Sequence, residues 1–228
     1  MKKMEDKTQE LFQSLVKKAT LKQDVYQKTF KAFNMLKEGM VDLHEKYQSL
    51  ETVEANKIPF IYKDRGEFEA ELKFGGDTLV FMMHTNVFEF PRDHEVMKTP
   101  YITEDKDRSY CGIINIFNFL SDSFKYNRLN DSGYLIGRIF VNKDNHYFIE
   151  GKREMGYLYS NFGQTELSQE KVCEVLESAI YYTINFDLLT PPYEQLKIVS
   201  VQGFNEFVDS MQIKTGKRLG FKFQADIE

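Results

Sequence analysis

The stretch Phe68-Glu69-Ala70-Glu71-Leu72-Lys73-Phe74-Gly75-Gly76-Asp77-Thr78-Leu79-Val80-Phe81-Met82-Met83 decides what kind of chain this is. Phe68, Ala70, Leu72 and Phe74 alternate with Glu67, Glu69, Glu71 and Lys73. That period of two puts apolar side chains on one face of a strand and charges on the other. Gly75-Gly76-Asp77 supplies the conformational freedom of a tight hairpin turn. Thr78 to Met83 is apolar on both faces, as expected of a strand nearer the middle of a sheet. The pair predicts an antiparallel sheet.

Downstream, Gly112 to Leu120 reads as a further strand with Asn115 and Asn118 embedded in it. A second hairpin runs from Tyr134 to Val141, turns at Asn142-Lys143-Asp144-Asn145, and returns from His146 to Lys152. Between the two hairpins, Pro91 to Arg108 reads as a long polar loop, a feature often tied to function. An amphipathic helix is expected at about 168–185. Ser168 is its N-cap, Glu170 complements the dipole, and Leu167 with Val172 forms a hydrophobic staple. Pro191-Pro192 closes that unit, and strands over Lys197–Val201 and Leu219–Phe223 flank a short helix near Phe204–Met211.

Upstream, the first fifty residues hold no Pro and one Gly, and their apolar spacing is helical. Leu11, Phe12, Leu15, Val16 and Ala19 share one face. Thr20-Leu21-Lys22-Gln23 fits a capping box and predicts a restart there. A second stripe, Tyr26, Phe30, Phe33, Leu36, Met40, Leu43, Tyr47 and Leu50, recurs at a spacing close to the 3.5 of a coiled coil. Gly39 interrupts it at a cost of about 1 kcal/mol relative to Ala. A helix over 21–50 would be roughly 45 Å long, about as long as the ~40 Å width expected of the rest of the chain when compact. It can lie across a sheet or project and pair with a second copy. The expected fold is α+β: N-terminal helices, one of them long, packed on or projecting from a mainly antiparallel sheet. The division is 1–50, a helical segment, and 58–228, the α+β domain. Tyr26, Phe30, Phe33 and Met40 are the candidate interface residues.

Composition narrows the function classes. The 228 residues carry a net charge of −5, with +3 over residues 1–50 and −8 over the rest. An acidic body opposes general nucleic-acid binding, which needs clustered positive charge. With two widely spaced cysteines, Cys111 and Cys173, and no apolar leader, a cytoplasmic location is expected. There is no phosphate-binding loop, dinucleotide fingerprint, nucleophile elbow, C-x-x-C or H-E-x-x-H, and no cofactor is expected.

Two chemical constellations stand out. Glu150-Gly151-Lys152 at a strand end resembles the E-x-K of metal-dependent nucleases of the restriction-endonuclease type. The resemblance implies that Glu150 holds Mg²⁺ and that Lys152 helps activate water or stabilises charge. Pairing Val141 with His146 would set Glu150 opposite Gly137 and Lys152 opposite Leu135, and neither neighbour supplies the second acidic ligand. His84, His94 and His146 form a possible metal set together with Asp93 and Glu95. The expectation is therefore a non-catalytic module that binds a partner protein or a small molecule and self-associates as a homodimer. A Mg²⁺-dependent nuclease or phosphodiesterase at Glu150 and Lys152 is the alternative.

Overall fold

A computed structural model describes residues 2–50, 57–127, 129, 131–151, 162–186, 193–198 and 200–202. The fold is α+β. One helix, α1 (Lys2–Gln48), is followed by β1 (Phe60–Gly66), β2 (Glu69–Phe74), β3 (Asp77–Met83) and β4 (Phe88–Glu89). Then come α2 (Pro100–Glu104), β5 (Tyr110–Leu120), α3 (Ser121–Lys125), β6 (Tyr134–Asn142), β7 (Tyr147–Gly151) and α4 (Gln169–Ile184). Among the described residues the strands make one seven-stranded antiparallel sheet in the order β1-β2-β3-β5-β6-β7. Short β4 pairs Phe88 with Cys111, extending the lane that β3 occupies along β5.

The inner face of the sheet carries the main core. Leu72, Leu79, Phe81, Ile114, Ile116, Ile139 and Ile149 meet Phe33, Leu36 and Met40 of α1 and Val175 and Leu176 of α4. Each large apolar side chain buried this way contributes about 1.5–3 kcal/mol. The strand pairs and α4 form where the period-two and period-3.6 patterns place them, and Ser168 caps α4 by accepting the Lys171 N–H.

Helix α1 departs from its expected form in three ways. It is continuous through Thr20, so the capping box is not used. No Gly or Pro precedes Gly39, and with good helix formers on both sides the backbone ladder outcompetes the side-chain cap. Phe33 and Met40, expected as interface residues, are fully buried in the chain's own core. Over its middle turns the buried face is rotated by one residue: Val25 and Thr29 point inward, while Tyr26 and Phe30 are half-buried and stack on each other at 6.2 Å.

Thr29 is tolerated inside because its hydroxyl donates to the Val25 carbonyl (2.8 Å) and because β5 has a glycine beneath it. A Cβ on Gly112 would lie 2.1 Å from Thr29 Oγ1. Gly39 has a similar reason to exist, since a Cβ there would lie 2.7 Å from Leu176 Cδ1 of α4.

Three further expectations change. Pro91–Arg108 is folded rather than open loop, as α2 flanked by 3-10 turns at Glu95–Lys98 and Lys106–Ser109. Strand β1 was not foreseen, because as an edge strand with an almost wholly exposed second half it shows no clean alternation. Among the described residues of 197–201 none is in a strand, and Val201 is helical. Lys152, Pro191, Pro192 and the elements expected over Phe204–Met211 and Leu219–Phe223 lie outside the described residues.

Asn118 sits on the inner face opposite Leu79, fully buried, with neither side-chain oxygen nor nitrogen hydrogen-bonded. An unsatisfied buried amide costs about 1–3 kcal/mol. Asn118→Leu is therefore expected to raise the urea midpoint, and a lowered midpoint would contradict the orphaned amide. Gly112→Ala is expected to destabilise the protein by about 1–3 kcal/mol through overpacking against Thr29. Thr29→Ala should recover part of that loss in the double variant, and strictly additive losses would show that the two residues do not press on each other.

Candidate functional site

Alternation along β5, β6 and β7 sends Cys111, Ile113, Phe140 and Phe148 to the outer face of the sheet. The segment between β3 and β5 folds over them. Phe90, Val96 and Ile102 descend onto Cys111 and Phe140, and Phe162 completes a second apolar cluster. The Phe90 ring lies 4.9 Å from Phe140 and 6.2 Å from Phe148 and from Phe162. His94 caps the first 3-10 turn: its Nδ1 accepts the Val96 N–H at 3.2 Å, so the neutral ring carries its proton on Nε2.

A polar network ties this layer to the turn between β6 and β7. Asn142 is fully buried and fully satisfied. Its Nδ2 donates to the Tyr101 hydroxyl (2.8 Å) and the Arg108 carbonyl (3.3 Å), and its Oδ1 accepts the N–H groups of Asp144 and His146. The Tyr101 hydroxyl also lies 2.6 Å from His146 Nδ1 and 3.3 Å from Asp144 Oδ2. Arg108 donates from Nε to Asp144 (2.9 Å) and from Nη1 to the Tyr101 carbonyl (3.0 Å), with its guanidinium 4.5 Å above the Tyr101 ring. Lys143 donates to Asp105 at 2.6 Å, and that bond holds the Asp105 carboxyl below its usual range. Burial is the main cause that pushes the Tyr101 phenol up to about 12, so it stays protonated.

Two cavities flank the layer. The larger, about 790 Å³, is walled by Tyr101, Phe148 and Phe162 and rimmed by Asp93, His94 and Glu95. The smaller, about 240 Å³, lies on the other side of His94 and holds Arg138, Phe140, Cys111 and Glu150.

The residues singled out from sequence are distributed differently from the expectation. The register of β6 with β7 is shifted by one from that expected, pairing Val141 with Tyr147 and so Glu150 with Arg138. The Glu150 carboxylate accepts from Arg138 Nε at 2.7 Å, so a cation of the protein stands beside it instead of a second acid. The three imidazoles are engaged separately. His84 Nδ1 accepts from the Asn86 N–H, His94 Nδ1 from Val96, and His146 joins Tyr101. Among the described residues no three His, Cys, Asp or Glu side chains are grouped to hold a metal ion. Cys111 and Cys173 are free thiols. Cys111 is buried and Cys173 half-buried, and burial raises both thiol pKa values.

Sequence reading missed Tyr101 and Asn142 as a joint hub. The one available signal was Asn142 at the start of the Asn-Lys-Asp-Asn turn, since Asn side chains bond the backbone two residues on. No family model matches the chain, and no curated protein and no solved structure matches it either.

Tyr101→Phe removes the hydroxyl shared by Asn142, Asp144 and His146 and is expected to cost about 1–3 kcal/mol at neutral pH. A phenol pKa raised from about 10 unfolded to about 12 folded adds stability that is whole below pH 10. It is lost as pH rises through 12. The gap between parent and variant in urea unfolding should therefore narrow between pH 9 and pH 11.5, and a constant gap would place Tyr101 outside the network.

Proposed function

We propose that this protein is a binding module that self-associates through the N-terminal third of α1. The observation that carries the reading is the apolar stripe Leu11, Phe12, Leu15 and Val16, between 57% and 63% exposed. Residues 7–20 are exposed throughout, and burial against the sheet begins at Leu21. At 100° per residue the four side chains fall on one face about 140° wide.

A second copy is the occupant that fits. With two arms antiparallel and a two-fold axis between Gln13 and Ser14, Leu11 meets Val16 and Phe12 meets Leu15 of the other chain. The same axis sets Glu10 against Lys17 and Gln9 against Lys18, so no like charges are brought together. Such self-complementarity is what an isologous dimer requires. The seam is well below the ~800 Å² per partner of a standard interface, so a dissociation constant in the micromolar range is expected.

Free thiols at Cys111 and Cys173 support a cytoplasmic setting. The cleavage reading at Glu150 gains no support from the geometry, because Arg138 already compensates that carboxylate.

The test is sedimentation velocity over a concentration series. The parent should pass from monomer to dimer, and Leu15→Glu should weaken association at least tenfold by placing a carboxylate in the seam. The arm contributes no buried side chain over 7–20, so the melting temperature of the variant should match the parent. A parent that stays monomeric at several hundred micromolar, or a variant that dimerises unchanged, overturns the reading.

A further inference from the structure

We propose that the larger cavity is a binding site for a small organic ammonium ion with an aromatic or similarly flat apolar body. Its volume of about 790 Å³ lies inside the ~300–1,000 Å³ range of small-molecule sites. Its lining divides into two chemistries. Phe148 and Phe162 offer ring surface, and the Tyr101 ring, which carries the Arg108 guanidinium 4.5 Å above it, meets Phe162 edge to face at 5.2 Å. Asp93 and Glu95, both exposed, add two carboxylates to the lining, and no lysine or arginine lines the cavity among the described residues.

Among the described residues these two carboxylates are uncommitted. Glu104, Asp105 and Asp144 of the same layer are paired with Arg108 or Lys143, whereas Asp93 and Glu95 have no ion pair among the described residues. Two carboxylates with no ion pair among the described residues, beside rings set edge to face, favour a cation, because a positive charge is attracted both to the carboxylates and to the negative face of a ring. They disfavour an anion on the same grounds.

The pocket is held ready for its ligand. The Tyr101 hydroxyl is engaged by Asn142, Asp144 and His146, which holds the ring in place. Gly163 closes against that ring at φ +90°, where a Cβ would stand 2.4 Å from it. A glycine there both adopts the left-handed backbone and admits the ring. The pocket rests on the body of the fold, so this inference does not depend on the self-association of the arm.

Isothermal titration at pH 7 with phenethylamine, 2-phenylethanol and phenylacetate tests the assignment. The amine should bind at least tenfold more tightly than the alcohol of the same shape, and the carboxylate should give no saturable heat. The double variant Asp93→Asn, Glu95→Gln should weaken the amine at least tenfold, and Phe162→Leu at least fivefold, with circular dichroism unchanged in each. Leu15→Glu should bind the amine as the parent does, which separates failure here from failure of the dimer. The proposal is overturned by equal affinities for amine and alcohol or by an unchanged affinity in the double carboxamide variant. It is also overturned by the absence of amine binding up to about 5 mM, where even a millimolar complex would register.

Discussion

The contact between Thr29 of α1 and Gly112 of β5 sets the distance on which the rest of the fold depends. The missing Cβ of Gly112 lets the helix come down until the threonine touches strand backbone. At that separation Phe33, Leu36 and Met40 reach Phe81, Ile114 and Ile139 with no exposed surface left between them. From Thr29 the helix crosses the sheet to its β1 edge. There Lys37 bonds Asp64 and the Gly66 carbonyl, and His44 lies 2.8 Å from the Phe60 carbonyl. Gly39 repeats the device sideways and admits Leu176, so α1 and α4 share one layer. A glycine that weakens a helix in isolation here sets how closely two helices pack.

With the inner face closed by two helices, the outer face is left to loops, and the described residues cover part of it. Over β5 to β7 the segment from Phe90 to Ser109 lays down its own small core and anchors to the β6–β7 turn through Tyr101, Arg108 and Asn142. Nearer the other end Met82 and Leu135 are exposed, and the Arg138–Glu150 pair lies between neighbouring strands. The network explains why a polar segment holds a fixed shape. Asn142 spends all of its hydrogen-bonding capacity, and a fully satisfied buried amide fixes its neighbours' positions. Asn118 is the counterexample inside the same strand system, buried with nothing to bond. We have no physical account of why an amide stands there.

What was legible from sequence followed from periodicity. The β2–β3 hairpin, the β6–β7 hairpin and α4 each carry a strong repeat and a recognisable turn or cap, and they stand where the pattern puts them. Helix α1 shows the limit of that signal. Its aromatic residues drew the stripe through Tyr26 and Phe30, yet Thr29 is the buried position, because burial there is decided by a glycine more than eighty residues away. The outer layer was opaque for the same reason. Tyr101, Arg108, Asn142 and Asp144 converge from segments about forty residues apart, with no spacing rule to join them. Even the hairpin register, off by one, turned Glu150 from a residue facing glycine into one facing arginine. A shift that small changes the chemistry because the side-chain period of a strand is two.

The length of α1 leaves one consequence. A sheet of six lanes at about 4.8 Å spacing is some 24–29 Å across, whereas 47 helical residues rise about 70 Å. The span from Leu21 to Gln48 is enough to cross the sheet, even obliquely. Of the preceding turns, Lys18 still lies 3.5 Å over the Tyr110 ring of β5, whereas Leu11, Phe12, Leu15 and Val16 remain more than half exposed. Four large apolar side chains on one face of one helix are not needed for the helix to form, since lysine, glutamate and glutamine serve as well there. Left in water they give up the burial energy that their relatives at Phe33 and Leu36 supply. The self-association proposed above would account for their place in the sequence.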